Sequence, residues 1–158
     1  MDEVRCEVEI EASMERVWSL ITEPQHLKVW YAFDGAKVDL RVGGVIEHVW
    51  EEHGRFLGRI DVLERPHRLG YRYANLPDEL PASGRSTHVL FELTALGPGL
   101  TRVTVTESGL DQLELSEADR AAYREATTQG WNGGLSTLAR HAQDDRLTQS
   151  RSPDQQEA

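Results

Sequence analysis

Glu107 is the carboxylate whose position says most about chemistry in this sequence. It shares strand parity with Val103 and Val105. Either it lies under a covered sheet, where desolvation raises its pKa toward that of a general acid, or it is wet beyond the covered part of its strand. His48 poses a similar question. Ile46, His48 and Trp50 share one face of a run in which Val45 and Val49 share the other, so alternation alone leaves the inward face open. With the first face inward, His48 reads as a neutral, hydrogen-bonded core histidine rather than a general base. His53 and the nearby Glu47, Glu51 and Glu52 have no His-x-His or His-Glu-x-x-His spacing, so a solvated hairpin is expected there and no metal site. Cys6 sits mid-strand between apolar neighbours, where a thiol is inert. No Gly-x-Ser-x-Gly elbow occurs, and neither Gly43-Gly44 nor Gly133-Gly134 has the spacing of a phosphate-binding loop. No catalytic set and no cofactor are expected.

Large side chains are the other candidates. Trp30, Trp50, Phe56, Tyr71, Tyr73, Phe91 and Trp131, with Leu135, either fill a core or line a cavity for a small apolar molecule. An inward aromatic is by itself no sign of a ligand.

The elements that must position these residues follow from periodicity. Val4, Cys6, Val8 and Ile10 alternate with Arg5, Glu7 and Glu9, as in a half-buried strand. Ser13 is placed to cap a short helix carrying Val17, Trp18 and Ile21, and Pro24 opens a second one carrying Leu27 and Trp30. From Ala36 to Gly109 the period is two. One strand is expected through Val38, Leu40 and Val42 to a turn at Gly43-Gly44, and another with Phe56, Gly58, Ile60 and Val62 on one face. Leu69, Tyr71 and Tyr73 follow, then a loop from Asn75 to Arg85, and two strands joined through Gly97-Pro98-Gly99. Ser116 begins a long helix whose expected apolar stripe is Ala118, Ala122, Ala126, Trp131, Leu135, Leu138 and Ala142. That helix alone is long enough to cover the apolar face of the sheet. A twisted sheet touches a straight helix along part of its length, and the remainder can stay open as a cavity. One domain over residues 1–143 and a polar, disordered tail over 144–158 are expected.

Composition narrows the function classes. The 158 residues hold 17 basic and 27 acidic side chains, a net charge of −10, and the basic ones are scattered among carboxylates. A nucleic-acid partner is therefore not expected. No apolar run approaches the roughly 20 residues of a membrane span, and no secretory signal opens the chain. One cysteine excludes an intrachain disulfide. A cytoplasmic location and a monomer or homodimer are expected.

Several segments carry a resemblance. Glu15-Arg16-Val17-Trp18, Thr22-Glu23-Pro24, Leu27 and Trp30 resemble the opening of a START-like (SRPBCC, helix-grip, birch-pollen-allergen-like) protein. Asp39-Leu40-Arg41-Val42-Gly43-Gly44, Pro66-His67-Arg68-Leu69 before Tyr71 and Tyr73, Val89-Leu90-Phe91-Glu92-Leu93, Thr101 to Thr106 and Gly130-Trp131 are similar to the subgroup of activator of heat-shock protein ninety ATPase homologues. The resemblance implies an α+β helix-grip fold, with a curved antiparallel sheet of six to seven strands around a long C-terminal helix. It also implies a hydrophobic cavity between the two. The family's roles include lipid or hormone carriers, polyketide cyclase/aromatases and chaperone-regulating modules. The leading expectation is a module that binds a lipid-like or aromatic molecule through Trp30, Trp50, Phe56, Tyr71, Tyr73, Phe91, Glu107, Trp131 and Leu135. The alternatives are a cyclase-like enzyme and a co-chaperone-like module with a chaperone partner.

Overall fold

The structure, a computed structural model, describes residues 2–149. Seven strands form one antiparallel sheet: β1 (Glu3–Ile10), β2 (Gly35–Val38), β3 (Val45–Trp50), β4 (Gly54–Glu64), β5 (Arg68–Ala74), β6 (Ser86–Gly97) and β7 (Leu100–Ser108). Their order across the sheet is β1-β7-β6-β5-β4-β3-β2. Strands β2 to β7 form a meander, as short connections favour. The first strand then pairs with the last, Cys6 opposite Val105 and Val8 opposite Val103. Helices α1 (Met14–Thr22) and α2 (Pro24–Trp30) follow β1, and α3 (Glu117–Gln149) ends the described chain. This is the α+β helix-grip architecture.

Local chemistry sets the helix ends. Ser13 Oγ accepts the Arg16 N–H at 3.3 Å and caps α1. Glu23 is extended and ends that helix, while Pro24 occupies the first turn of α2, where its missing N–H costs nothing. The Trp30 indole N–H donates to the Leu20 carbonyl at 2.8 Å and locks the two helices together. Ser116 Oγ accepts the Asp119 N–H at 3.1 Å and caps α3. A short 3-10 turn, Leu110–Gln112, precedes α3 and buries Leu110.

Three expectations change. The strand expected to reach Val42 stops at Val38. Leu40 and Val42 are 40% and 64% exposed, because residues 39–44 curl into a turn with Arg41 N–H on the Asp39 carbonyl and Gly44 N–H on the Arg41 carbonyl. Gly43 has φ +86, and a Cβ on Gly44 would strike the Asp39 carbonyl oxygen. In β4 a bulge between Ile60 and Val62 reverses the parity. Val62 therefore leaves the face it was expected to share with Ile60, and Leu63, opposite Leu69, packs on the core instead. In α3 only the later part of the expected stripe is covered. Trp131, Leu135, Leu138 and Ala142 are buried, whereas Ala118, Ala122 and Ala126 are exposed. Helix α3 runs to Gln149, and most of the expected tail lies outside the described residues. Among the described residues no helix is long and apolar enough to cross a membrane.

Candidate functional site

A cavity of about 660 Å3 lies between the first half of α3 and the sheet. Its cause is legible in the helix. Between Glu117 and Gly130 the only large apolar side chain is Tyr123. Apart from Tyr123 and Trp131, the positions of α3 that line the space are small or polar: Ala126, Thr127, Gln129, Gly130, Gly133, Gly134 and Thr137. Tyr123 reaches Glu107 on β7 and Arg124 reaches the Glu3 carbonyl on β1, but the small or polar side chains between them and Trp131 leave the gap unfilled. Further along, Trp131, Leu135 and Leu138 close it by packing on the core.

The opposite walls are aromatic. Helix α2 and its exit supply Trp30, Tyr31 and Phe33, β3 and β4 supply Trp50 and Phe56, and β5 supplies Tyr73. The Tyr31 ring stacks on Trp131 with centroids 5.0 Å apart and planes 5° from parallel. Trp50 meets Tyr31 edge-on at 5.0 Å, and its indole N–H donates to the Tyr31 carbonyl at 2.7 Å. These contacts hold the end of α2 over the sheet. Gly58, opposite Tyr73 on β4, makes room for the tyrosine rings, since a Cβ there would come within 3.0 Å of Tyr71 and 3.1 Å of Tyr73. Phe33, 57% exposed, and His53 stand at the rim.

Glu107 is the one carboxylate among the described residues lining this space. The wet alternative does not hold: Glu107 is 5% exposed, because β7 is a central strand with Val4 on one side and Val89 on the other. Its Oε1 accepts the Trp131 indole N–H at 2.8 Å, and Oε2 accepts the Thr87 hydroxyl at 2.8 Å and, more distantly, the Tyr123 hydroxyl at 3.5 Å. Burial pushes its carboxyl above the ordinary value, and the three donors pull it partly back. Tyr123 is held protonated by burial and then by the facing Glu107 charge. Burial likewise raises Tyr31 and Tyr73 well above the phenol range.

Strand β3 turns Ile46, His48 and Trp50 inward, which resolves the parity left open by alternation. His48 is 2% exposed, with Nδ1 2.9 Å from the Tyr73 hydroxyl. Burial lowers its pKa to about 3, so it is neutral at physiological pH and lies behind the wall.

Of the residues expected to bind a ligand, Trp30, Trp50, Phe56, Tyr73, Glu107 and Trp131 line the cavity. Tyr71, Phe91 and Leu135 do not. Phe91 is screened by Trp131, which it meets edge-on at 5.5 Å. Tyr71 packs between Tyr73 at 5.5 Å and Phe91 at 6.5 Å. Leu135 lies one turn beyond Trp131, in the core. Sequence reasoning passed over Tyr123, although the spacing of Tyr123, Thr127 and Trp131 puts all three on one helix face. The spacing of Leu27, Trp30 and Tyr31 also points to an inward Tyr31, whereas Phe33 carries no such signal, because it lies beyond the end of α2. Among the described residues no three His, Cys, Asp or Glu side chains cluster as metal ligands do.

The site offers an aromatic enclosure, tyrosine hydroxyls held protonated, and one buried carboxyl group. Solved structures share its frame. A protein of Mesorhizobium loti superposes with a TM-score of 0.73 at 18% identity, over 95% of this chain and 99% of that one. The Aha1 dimer of Colwellia psychrerythraea gives 0.69 at 20% identity, over 88% and 94%. An HSP90 activator of Plasmodium falciparum gives 0.63 at 18% identity, over 87% and 94%. At these identities the likeness is one of fold. No curated protein matches the chain. The family described as Activator of Hsp90 ATPase homolog 1-like protein matches residues 11–143, nearly the whole of the helix-grip unit, and the chain belongs to that family.

Proposed function

We propose that the chain binds a small, largely apolar molecule in the cavity between the sheet and the first half of α3. The observation that supports this reading is the unfilled, aromatic-walled volume of about 660 Å3, within the roughly 300–1,000 Å3 of small-molecule sites. A ring-sized ligand losing roughly 200 Å2 of surface gains about 5 kcal/mol before association costs, so generic compounds are expected to bind at about tens to hundreds of micromolar.

Native mass spectrometry of freshly purified protein tests the reading, together with fluorescence titration, since Trp30, Trp50 and Trp131 line the cavity. Sterols, fatty acids and polycyclic aromatics form the panel, and at least one class is expected to quench saturably. Gly130→Leu is expected to abolish that response without unfolding the chain, because a Cβ at Gly130 meets no atom within 4 Å and the longer side chain enters the cavity. A flat response across the panel would defeat the proposal. A pull-down dominated by a chaperone would then favour a protein-binding role, as the name of the HSP90 activator among the fold relatives suggests.

The buried Glu107 carboxyl favours a second reading, a cyclase-like enzyme in which Glu107 protonates a substrate enclosed by Tyr73 and Tyr123. Turnover of a poly-β-keto substrate, lost in Glu107→Gln, would establish it.

A further inference from the structure

The polar equipment of the cavity is one-sided. Glu107 is buried at its floor, and no Lys or Arg is among the described residues that line it. Trp131 and Thr87 fix the carboxylate plane by donating to different oxygens at 2.8 Å. The Tyr123 hydroxyl completes the set at 3.5 Å, a distance too long for a strong bond. A carboxylate presents about four lone-pair sites, so these three donors leave capacity for a ligand. The surrounding walls present the rings of Trp30, Tyr31, Trp50, Phe56 and Tyr73.

We propose that this cavity selects an apolar molecule carrying a protonated amine, with Glu107 as its counter-ion and the aromatic walls around the cation. The proposal rests on the reading that the cavity takes a small apolar ligand, and it names the class. An anionic ligand, such as a fatty acid, would bury a second negative charge beside Glu107 with no Lys or Arg to pair it. A neutral alcohol adds a hydrogen bond to a carboxyl that already receives three. An ammonium group adds what the site lacks. It offsets the cost of ionising a buried carboxyl, and ring faces within about 6 Å attract it further. The chain's net charge of −10 draws cations toward the molecule.

Three probes with one apolar body separate the possibilities: naphthylmethylamine, naphthylmethanol and naphthoic acid, titrated calorimetrically into the full chain at pH 7. The amine is expected to bind about tenfold or more tightly than the alcohol, and the acid most weakly. Glu107→Gln, which retains the shape, is expected to bring the amine-to-alcohol affinity ratio to about one, and Glu107→Asp to keep it above one. The ranking in the native chain tests the proposal even where a variant fails to fold. Equal binding of amine and alcohol overturns the amine proposal and leaves the cavity reading standing, as does tightest binding of the acid. A ratio that survives Glu107→Gln overturns the role of Glu107. Absence of binding by all three overturns both the proposal and the reading beneath it.

Discussion

His48 and Glu107 are buried titratable residues on neighbouring parts of one aromatic enclosure, and burial moves them in opposite directions. The folded chain holds His48 at about pKa 3, against 6.5 for a free ring. Between those values the unfolded chain takes up a proton that the folded chain refuses. The stability His48 contributes is present above pH 6.5 and is lost as pH falls through that window. Glu107 behaves conversely. Its folded pKa is raised, so its contribution is full below the ordinary carboxyl value and is lost as pH rises through the folded one. His48→Gln leaves Tyr73 a hydrogen-bond partner while removing the titration. Urea unfolding at pH 7 and pH 4 is expected to show the native chain losing about 3 kcal/mol more than this variant between the two conditions. Equal losses would mean that His48 is not buried as a neutral ring.

At the scale of elements, glycine has opposite meanings on the sheet and on the helix. Gly58 lies on the inner face of β4, where a Cβ would stand 3.0 Å from Tyr71 Cδ2, 3.1 Å from Tyr73 Cδ1 and 3.2 Å from the Arg72 carbonyl. Neither packed ring nor backbone can withdraw freely. Gly58→Ala is expected to cost about 1–3 kcal/mol, read as a lowered urea midpoint. Gly130 lies in the interior of α3, where a Cβ meets nothing within 4 Å. Gly130→Ala is expected to raise stability by up to about 1 kcal/mol, because alanine loses less backbone freedom in a helix. A destabilised Gly130→Ala would mean that the helix approaches the sheet more closely there than this geometry has it. The open half of α3 was hidden in the sequence for a related reason. Ala118, Ala122 and Ala126 have helical spacing, but three methyl groups bury too little surface to pull the helix onto the sheet. Trp131, Leu135 and Leu138 bury enough to hold their part of the helix on the core, while the earlier part is held by polar contacts, Tyr123 with Glu107 and Arg124 with the Glu3 carbonyl.

Over the whole molecule, β1 completes the sheet as an edge strand by pairing with β7, and α3 covers the inner face. The family match spans residues 11–143, which places the last residues of the chain beyond the shared unit. In 150–158 the only apolar side chains are Pro153 and Ala158, which can offset little of the entropy of ordering nine residues. We expect a chain ending at Gln149 to keep its circular dichroism spectrum and melting temperature. A fall of several degrees would show that the removed residues dock.

What the sequence determined by itself were the features set by local physics. The capping hydroxyls of Ser13 and Ser116, Pro24 at a first turn, the alternation along β1 and the order of strands and helices are properties of adjacent residues. The aromatic character of the site was legible for the same reason, since large side chains on one parity must turn inward together. What the tertiary structure decided were features set by partners distant in the chain. Glu107 is buried because β7 acquires β1 as a neighbour, about a hundred positions away in sequence. The bulge after Ile60 places Leu63 rather than Val62 on the core through its register with β5. Phe91 becomes wall backing because Trp131 stands against it, Tyr71 because it packs between Tyr73 and Phe91, and Leu135 because it lies a turn further along α3 in the core. Alternation tells which face a side chain takes. How far it stands from the opposite layer depends on where the helix is anchored, and that is settled only by the packing of the whole.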